Sequence, residues 1–265
     1  MKLLDDLVFA PPLPGSPCGT QRHRGRLEPC GAGHLRHATR VVDIADTLVA
    51  HAFTMLVFEE SQITGDVRCA GRDPVSYVLT NYGRIDPTET AHMLSVLRTG
   101  NPAEQVVLDF GAHVGWYTIL AALLGYRVAA FECDFEHADL LRANVDENNL
   151  DHLVRVIETH VDAQSPALHA DAEEVLFLKA DVEGGEPEIV AMCQALLDAR
   201  RVVHLQLEVS PVFRDGYLEM LLGVMDRGYD LVNVEDSKLR PVPRGEVPAL
   251  VRSLPQTNVL LHRRP

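Results

Sequence analysis

Positive charge is scarce in this sequence. The 265 residues include 24 lysines and arginines against 38 aspartates and glutamates, which gives a formal net charge of −14. A surface of that sign repels the phosphate backbone of DNA and RNA, so we expect no general nucleic-acid-binding role. Short basic runs occur near Arg22 and at the C-terminal Arg263 and Arg264, but runs of this kind are typical of solvated termini.

Cysteine is also scarce, and the cysteines are scattered. The five are Cys18, Cys30, Cys69, Cys133 and Cys193. None forms a Cys-x-x-Cys pair, and an odd, dispersed set is typical of reduced thiols, so we expect no disulfides. Cys18 and Cys30 precede His34 and His37, but their spacing matches no standard zinc finger, and we predict no metal site.

Long uninterrupted hydrophobic runs are absent. The longest candidate, VVDIADTLVAHAFTMLVF at residues 41–58, carries Asp43, Asp46 and His51, which makes it too polar to cross a bilayer. The N-terminal stretch MKLLDDLVFA contains two aspartates, unlike a secretory signal. We therefore expect no membrane span and a cytoplasmic location, with an organelle as the alternative.

Local sequence patterns divide the chain into two parts. Residues 11–39 are rich in proline, glycine, arginine and histidine and lack apolar periodicity, as loops do. Apolar residues at helical spacing predict one amphipathic helix between Val41 and Val57 and another over residues 87–97. We predict an N-terminal arm and helical cap at residues 1–72, followed by a main domain at residues 73–265.

After Asn101 the pattern alternates between strand and helix. The predicted strands cover residues 106–110, 128–132, 154–159, 175–180, 203–209, 229–234 and 258–262. Such alternation specifies parallel strands joined by right-handed crossovers. Only a long turn segment separates the last two predicted strands, which favours an antiparallel last strand. We therefore predict an α/β fold with a Rossmann-like, doubly wound, seven-stranded sheet that is mostly parallel.

The segment VVLDFGAHVGWYTIL, residues 106–120, joins the first of these strands to a helix. In doubly wound sheets, ligands bind beyond the carboxyl ends of the strands where the strand order reverses, so this turn belongs to the predicted site. Gly111 allows a positive φ or a close approach, and Gly115 removes a side chain at the start of the helix. The next strand ends in AAFECD, which places Glu132 where a ribose diol would bind.

Three nucleotide-binding patterns compete for this turn. The segment lacks the G-x-G-x-x-G of dinucleotide sites, since Ala112 and His113 stand inside the loop, and it lacks the Gly-Lys-Ser/Thr of a Walker loop. Asp109 suits a sulfonium cation and its ammonium group better than a pyrophosphate. This favours S-adenosylmethionine (SAM) over a phosphate-bearing cofactor; a tight turn without a ligand is the alternative.

Three segments resemble the FkbM-type family of class I SAM-dependent methyltransferases. Residues 106–150 are similar to motif I and the following strand of that class. FLKADVEGGEPEIV, residues 177–190, is similar to the family's Lys-Ile-Asp-Val-Glu-Gly-x-Glu signature. NYGRIDPTETAHMLSVLRTG, residues 81–100, resembles the segment that precedes motif I. The resemblance covers residues 73–236.

The resemblance implies a SAM site and a hydroxyl acceptor. The residues that would bind the cofactor are Asp109, Gly111, Ala112, His113, Gly115, Tyr117, Thr118, Glu132, Cys133, Asp162 and Asp181. Asp109 and the turn amides would hold the methionine end, Glu132 the ribose hydroxyls and Asp162 the adenine edge. The family usually has Asn at position 113 and Pro at position 133, so His113 and Cys133 are departures from its pattern.

The acidic segment LKADVEGGEPE follows the fourth predicted strand and faces the predicted donor site. Asp181 and Glu183 are candidates for the general base or the acceptor anchor, with Lys179 as an alternative base or electrostatic partner. Glu208, at the end of the fifth predicted strand, is a candidate substrate contact. A solvated acidic loop and a structural cap are the plainer interpretations of these acids. Together the three carboxylates could hold a divalent ion, but no defined spacing supports one.

The sequence therefore predicts a SAM-dependent O-methyltransferase that acts on a hydroxyl of a small molecule or a sugar. Two alternatives stay open: an RNA methyltransferase, and a catalytically inactive, methyltransferase-like assembly subunit. Self-association also stays open, because fold alone determines neither partner nor substrate.

Overall fold

The computed structural model describes residues 39–45, 52–58, 73–162, 165, 167–168, 173–210, 216–233, 240–253 and 256–265. The predicted arm at residues 11–39 lies outside this part of the chain apart from Thr39. The described residues include most of the predicted main domain.

The strands of the described part are β1 (Thr39–Ala45), β2 (Ala52–Phe58), β3 (Gln105–Phe110), β4 (Arg127–Glu132), β5 (Val154–Glu158), β6 (Glu174–Ala180), β7 (Val202–Val209), β8 (Tyr229–Asn233) and β9 (Thr257–Arg263). The helices are α1 (Pro74–Tyr82), α2 (Pro87–Leu97), α3 (Trp116–Leu123), α4 (Phe135–Glu147), α5 (Glu186–Met192), α6 (Gln194–Asp198), α7 (Tyr217–Asp226) and α8 (Val247–Ser253). None of the described helices combines the length and the apolar character needed to cross a membrane.

Seven of these strands form one sheet in the order β5-β4-β3-β6-β7-β9-β8. β3 pairs in parallel with β4 and β6, and β5 and β7 extend the sheet in parallel on either side. β9 runs antiparallel to both of its neighbours, β7 and β8. The predicted Rossmann-like α/β sheet, mostly parallel with an antiparallel last strand, is confirmed.

The sheet is buried between two apolar layers. On one face Val107 of β3 belongs to a cluster that includes Leu94 of α2 and Ile119 of α3. On the other face Leu108 belongs to a cluster that includes Ile189 of α5. Because neighbouring residues of a strand point to opposite faces, β3 is apolar at both faces and its sequence is a nearly continuous hydrophobic run.

The helix predicted between Val41 and Val57 is wrong. The described residues of this segment form β1 and β2, which pair antiparallel with Thr39 opposite Phe58. A short apolar run satisfies the helical and the strand pattern at once, and this run is rich in the branched and aromatic residues that suit strands. A strand pair therefore replaces the helical part of the predicted cap, while the domain boundary at residue 72 stays a prediction.

Two asparagines of α4 attach β2 to the main domain. Asn144 accepts a hydrogen bond from the backbone N–H of Leu56 and donates to the carbonyl oxygens of Leu56 at 3.0 Å and Val114 at 2.8 Å. One turn later, Asn148 accepts from the N–H of Thr54 at 3.0 Å and donates to its carbonyl at 2.7 Å. The two amides thus pair with alternate residues of β2, as the backbone of a neighbouring strand would.

Two further details differ from the prediction. The alternating sequence pattern predicts one helix over residues 187–199, but this segment is interrupted at Cys193, where α5 ends and α6 follows. The long turn expected before β9 contains α8. Val247 and Val251 of α8 are buried one turn apart against the core, an apolar pair too short to be recognised as a helix from periodicity alone.

We expect Asn144→Ala to lower the free energy of unfolding by about 2–4 kcal/mol, because the buried backbone groups of Leu56 would lose their hydrogen-bond partners. Asn148→Ala removes a similar pair at a half-buried position and should cost about 1 kcal/mol. Urea unfolding followed by circular dichroism measures both. A loss for Asn144→Ala no larger than the loss for Asn148→Ala would contradict this account.

Candidate functional site

A cavity of about 730 Å³ opens at the carboxyl ends of β3, β4 and β6. The strand order reverses here, since the chain continues from β3 to β4 and β5 on one side and β6 and β7 occupy the other. Crossovers that leave a sheet in opposite directions open a crevice between them, and ligands of doubly wound sheets bind in that crevice. The cavity therefore lies where the sequence predicts the site.

The loop between β3 and α3 depends on glycine at two points. Gly111 has φ +73°, and a Cβ there would lie 1.8 Å from the carbonyl oxygen of Asp181. Gly115 has φ +95°, and a Cβ there would lie 2.3 Å from the side chain of Leu141. The first glycine lets the loop pass over the end of β6, and the second lets α3 pack closely on α4.

Glu132, the last residue of β4, fixes two loops and faces the cavity. Its carboxylate accepts hydrogen bonds from the backbone N–H groups of His113 at 2.8 Å and of Cys133 and Asp134 at 2.9 Å each. The side chain is buried except for a small exposed fraction that lines the cavity. A carboxylate held in this way is fixed before a ligand binds, as hydroxyl recognition requires.

Lys179 of β6 lies buried beneath the cavity between two carboxylates. Its Nζ is 3.4 Å from Asp181 Oδ2, 3.9 Å from Asp109 Oδ1 and 3.3 Å from the carbonyl oxygen of Gly111, to which it donates. Burial acts to lower the pKa of Lys179, but the charges of Asp181 and Asp109 outweigh it, so the pKa is raised. Lys179 therefore stays protonated at neutral pH, which favours the predicted electrostatic role over a role as base.

Three carboxylates converge at the ends of β6 and β7. Side-chain oxygens of Asp181, Glu183 and Glu208 lie within 4.8 Å of one another. Glu208 is 7% exposed and accepts hydrogen bonds from Gln256 at 2.5 Å and Ser210 at 3.1 Å. Burial and the charge of Asp181 raise the pKa of Glu208 to about 7 and also raise the pKa of Glu183. Carboxylates with raised pKa are effective proton acceptors near neutral pH.

The cavity brings most of the predicted site residues together. The predicted residues that line it are Gly111, Ala112, His113, Tyr117, Glu132, Cys133, Lys179, Asp181 and Glu183. Glu208 does not line it but adjoins Asp181 and Glu183. Residues of the predicted cofactor set and of the predicted acceptor set therefore meet in one concave site.

Four predicted cofactor residues lie elsewhere. Asp109, Gly115 and Thr118 are behind the cavity wall, where Thr118 Oγ1 donates to Asp109 Oδ2 at 2.6 Å. Asp109 thus supports the cavity through Lys179 and Thr118. Asp162 is exposed outside the lining and accepts a hydrogen bond from Ser165 at 3.3 Å. Direct contacts of these four residues with a cofactor stay predictions.

Polar residues that the sequence did not assign to the site also line the cavity, among them Asp73, Asp86, His137 and His160. His160 is an exposed loop residue, and its loop borders the site. Asp73 and Asp86 each precede the proline that begins a helix, so the repeated Asp-Pro pair was the available signal. Asp86 has φ +41° and accepts a hydrogen bond from Tyr117 at 3.2 Å, and burial raises its pKa.

The cavity is strongly acidic. Seven carboxylates line it: Asp73, Asp86, Glu132, Asp134, Glu136, Asp181 and Glu183. Lys179 is the only lysine or arginine among the described lining residues, and two carboxylates already neutralise it. An excess of negative charge in a concave, partly desolvated site favours a cationic ligand and disfavours a phosphate.

We expect Glu208→Gln to raise the free energy of unfolding, relative to the wild type, more at pH 8 than at pH 5. The folded state holds the proton on Glu208 up to pH about 7, whereas the unfolded state loses it near the ordinary value of 4.5. The free energy of unfolding of the wild type therefore falls as the pH rises between these two values, because the charged form must then be buried. We expect the mutational gain at pH 8 to exceed that at pH 5 by roughly 1–3 kcal/mol. Urea unfolding at both pH values measures it, with the exposed Glu104→Gln as control. An equal effect at both pH values would contradict the assignment.

No protein-family model and no curated protein matches this sequence. Solved structures with a similar fold include the N-terminal domain of human METTL16 in complex with SAH, at 15% identity and a TM-score of 0.42 over 71% of this chain and 78% of that one. A SAM-dependent O-methyltransferase from Thermotoga maritima is 15% identical, with a TM-score of 0.45 over 71% and 70% of the two chains. The T. thermophilus 16S rRNA methyltransferase RsmC, in complex with AdoMet and guanosine, is 16% identical, with a TM-score of 0.46 over 93% and 58%. At this level of similarity, neither activity nor substrate transfers to this chain.

Proposed function

We propose that this protein is a SAM-dependent methyltransferase of the FkbM type that methylates a hydroxyl group of a small molecule or a sugar. The observation that carries the proposal is the acidic cavity at the point where the strand order reverses, with seven carboxylates and one neutralised lysine in its lining. A sulfonium cation with an ammonium group suits this charge, whereas NAD or ATP would place a pyrophosphate against it.

The residues at the cofactor side fit a nucleoside. Glu132 presents a fixed carboxylate at the end of β4, where a ribose diol is bound in doubly wound sheets. In the loop from Gly111 to Gly115, both glycines have positive φ, and residues 111–114 line the cavity. SAM, when bound, supplies an electrophilic methyl group on a positively charged sulfur.

The residues at the acceptor side have distinct roles in this proposal. Asp181 is paired with protonated Lys179 at 3.4 Å, and its carboxylate lines the cavity, where it can accept a hydrogen bond from an acceptor hydroxyl. Glu183 lines the cavity, and burial raises its pKa. We assign Glu183 as the general base, which would take the hydroxyl proton onto its carboxylate while the methyl group passes from the sulfonium sulfur to the acceptor oxygen and S-adenosylhomocysteine leaves.

The same charge supports a small acceptor over RNA. A polyanionic strand would have to approach a cavity whose described lining is acidic, on a chain of net charge −14. The RNA alternative predicts binding that weakens steeply with salt, because phosphate contacts release counterions. The assembly-subunit alternative predicts no donor binding.

Isothermal titration calorimetry with SAM and S-adenosylhomocysteine tests the cofactor. We expect both to bind the wild-type protein and Glu132→Gln to weaken the binding by about tenfold to a hundredfold, since hydrogen bonds to a charged group contribute about 1.5–3 kcal/mol. NAD and ATP should not bind. Glu158→Gln is the matched control, because Glu158 ends β5 directly beside Glu132 and does not line the cavity.

Two outcomes would contradict the cofactor assignment. No binding of SAM to the folded wild-type protein would favour the assembly subunit. An equal loss in Glu132→Gln and Glu158→Gln would show that the effect arises from the sheet edge and not from the cavity. Circular dichroism confirms that each variant is folded.

Glu183→Gln should abolish most of the transfer without loss of cofactor affinity. A screen of hydroxylated small molecules, followed by formation of S-adenosylhomocysteine, identifies an acceptor. With that acceptor, we expect Glu183→Gln to lower kcat by about a hundredfold to ten-thousandfold, the usual contribution of a general base. A kcat that changes less than threefold, with a wild-type pH profile, would assign the proton transfer to another group.

A further inference from the structure

We propose that Asp73, His113 and His137 form a binding site for a transition-metal cation of the zinc type at one wall of the cavity. One ligand atom from each of the three lies within 4.8 Å of the others. His113 Nε2 is 2.9 Å from Asp73 Oδ1, and the two imidazole rings are 3.8 Å apart between centroids. The three residues are far apart in sequence, so the fold alone assembles them.

Each ligand has a defined backbone position. Asp73 is the N-cap of α1, where its oxygens also accept hydrogen bonds from the N–H groups of Val75 at 3.3 Å and Ser76 at 2.7 Å. His113 lies in the loop between Gly111 and Gly115. His137 lies in the first turn of α4. Three rigidly placed donors need little rearrangement to close on an ion.

The donor set selects the class of metal. Two imidazole nitrogens and one carboxylate suit Zn²⁺, Co²⁺, Ni²⁺ or Cu²⁺, whereas Mg²⁺ and Ca²⁺ prefer oxygen ligands alone. Three protein ligands leave a tetrahedral ion one position for water or another ligand. Because all three residues line the cavity, that position is accessible from the same space as the proposed cofactor.

Two features of the histidines favour a metal over a simple hydrogen bond. His113 holds a left-handed backbone at φ +52°, and its Nδ1 is buried without a hydrogen-bond partner among the described residues. The rings of His113 and His137 lie 3.8 Å apart between centroids and are tilted by 32°, which places two potential nitrogen ligands side by side.

Metal titration of the metal-free full-length chain tests the site without reference to methyl transfer. Co²⁺ absorption in the visible range reports tetrahedral coordination, and calorimetry with Zn²⁺ gives the affinity. We expect one ion to bind, and Asp73→Asn and His137→Gln each to weaken it at least tenfold. Asn caps helices as well as Asp does, so Asp73→Asn preserves α1. His160→Gln is the control, a cavity histidine outside the trio.

The expected pH dependence adds a second signature. Binding should weaken at acidic pH, since imidazole must be neutral to bind the ion. The proposal is overturned if neither Zn²⁺ nor Co²⁺ binds, or if Asp73→Asn and His137→Gln both bind the ion with wild-type affinity. An equal loss of affinity in His160→Gln would also overturn it. SAM affinity measured in the presence of a chelator separates this result from a failure of the proposed function.

Discussion

The buried ammonium group of Lys179 is the interaction on which the geometry of the site depends. It joins Asp109 of β3, Asp181 at the end of β6 and the carbonyl of Gly111, three groups that meet only because β3 and β6 are neighbours in the sheet. Removing this charge would leave two carboxylates uncompensated, a defect that costs about 3–5 kcal/mol when one partner of a buried pair is lost. The network therefore holds together the wall that the cofactor and acceptor would share.

Backbone strain is concentrated at the same place. Of the five described residues other than glycine with positive φ, three line the cavity: Asp86, His113 and Glu183. A left-handed residue with a Cβ costs about 1–2 kcal/mol, and structures retain such strain mainly where the position of a side chain matters. Each of the three carries a group that can bind or transfer a proton, which agrees with the roles proposed for the cavity.

The strand pair β1 and β2 belongs to this arrangement and is not a remote extension. Phe58, the last residue of β2, lines the cavity, and its N–H donates to Ser76 Oγ of α1 at 3.1 Å. Through Asn144 the same strand is attached to Val114 in the loop after β3. The segment predicted as a helical cap thus contributes to the wall of the site in a different secondary structure.

The sequence by itself determined the alternating sheet, the turn at Gly111 and the acids Glu132, Asp181 and Glu183, because strand and helix periodicity and strand-end residues are local signals. It also placed Asp109 at the right strand end, but burial behind Lys179 could not be predicted from one sequence. Only the tertiary structure decided that the described residues between 41 and 57 form strands, since the asparagine amides that pair with β2 come from α4 and its C-cap. It alone brought Asp73, Asp86, His137 and His160 to the cavity, because contacts between residues distant in sequence depend on how the elements pack.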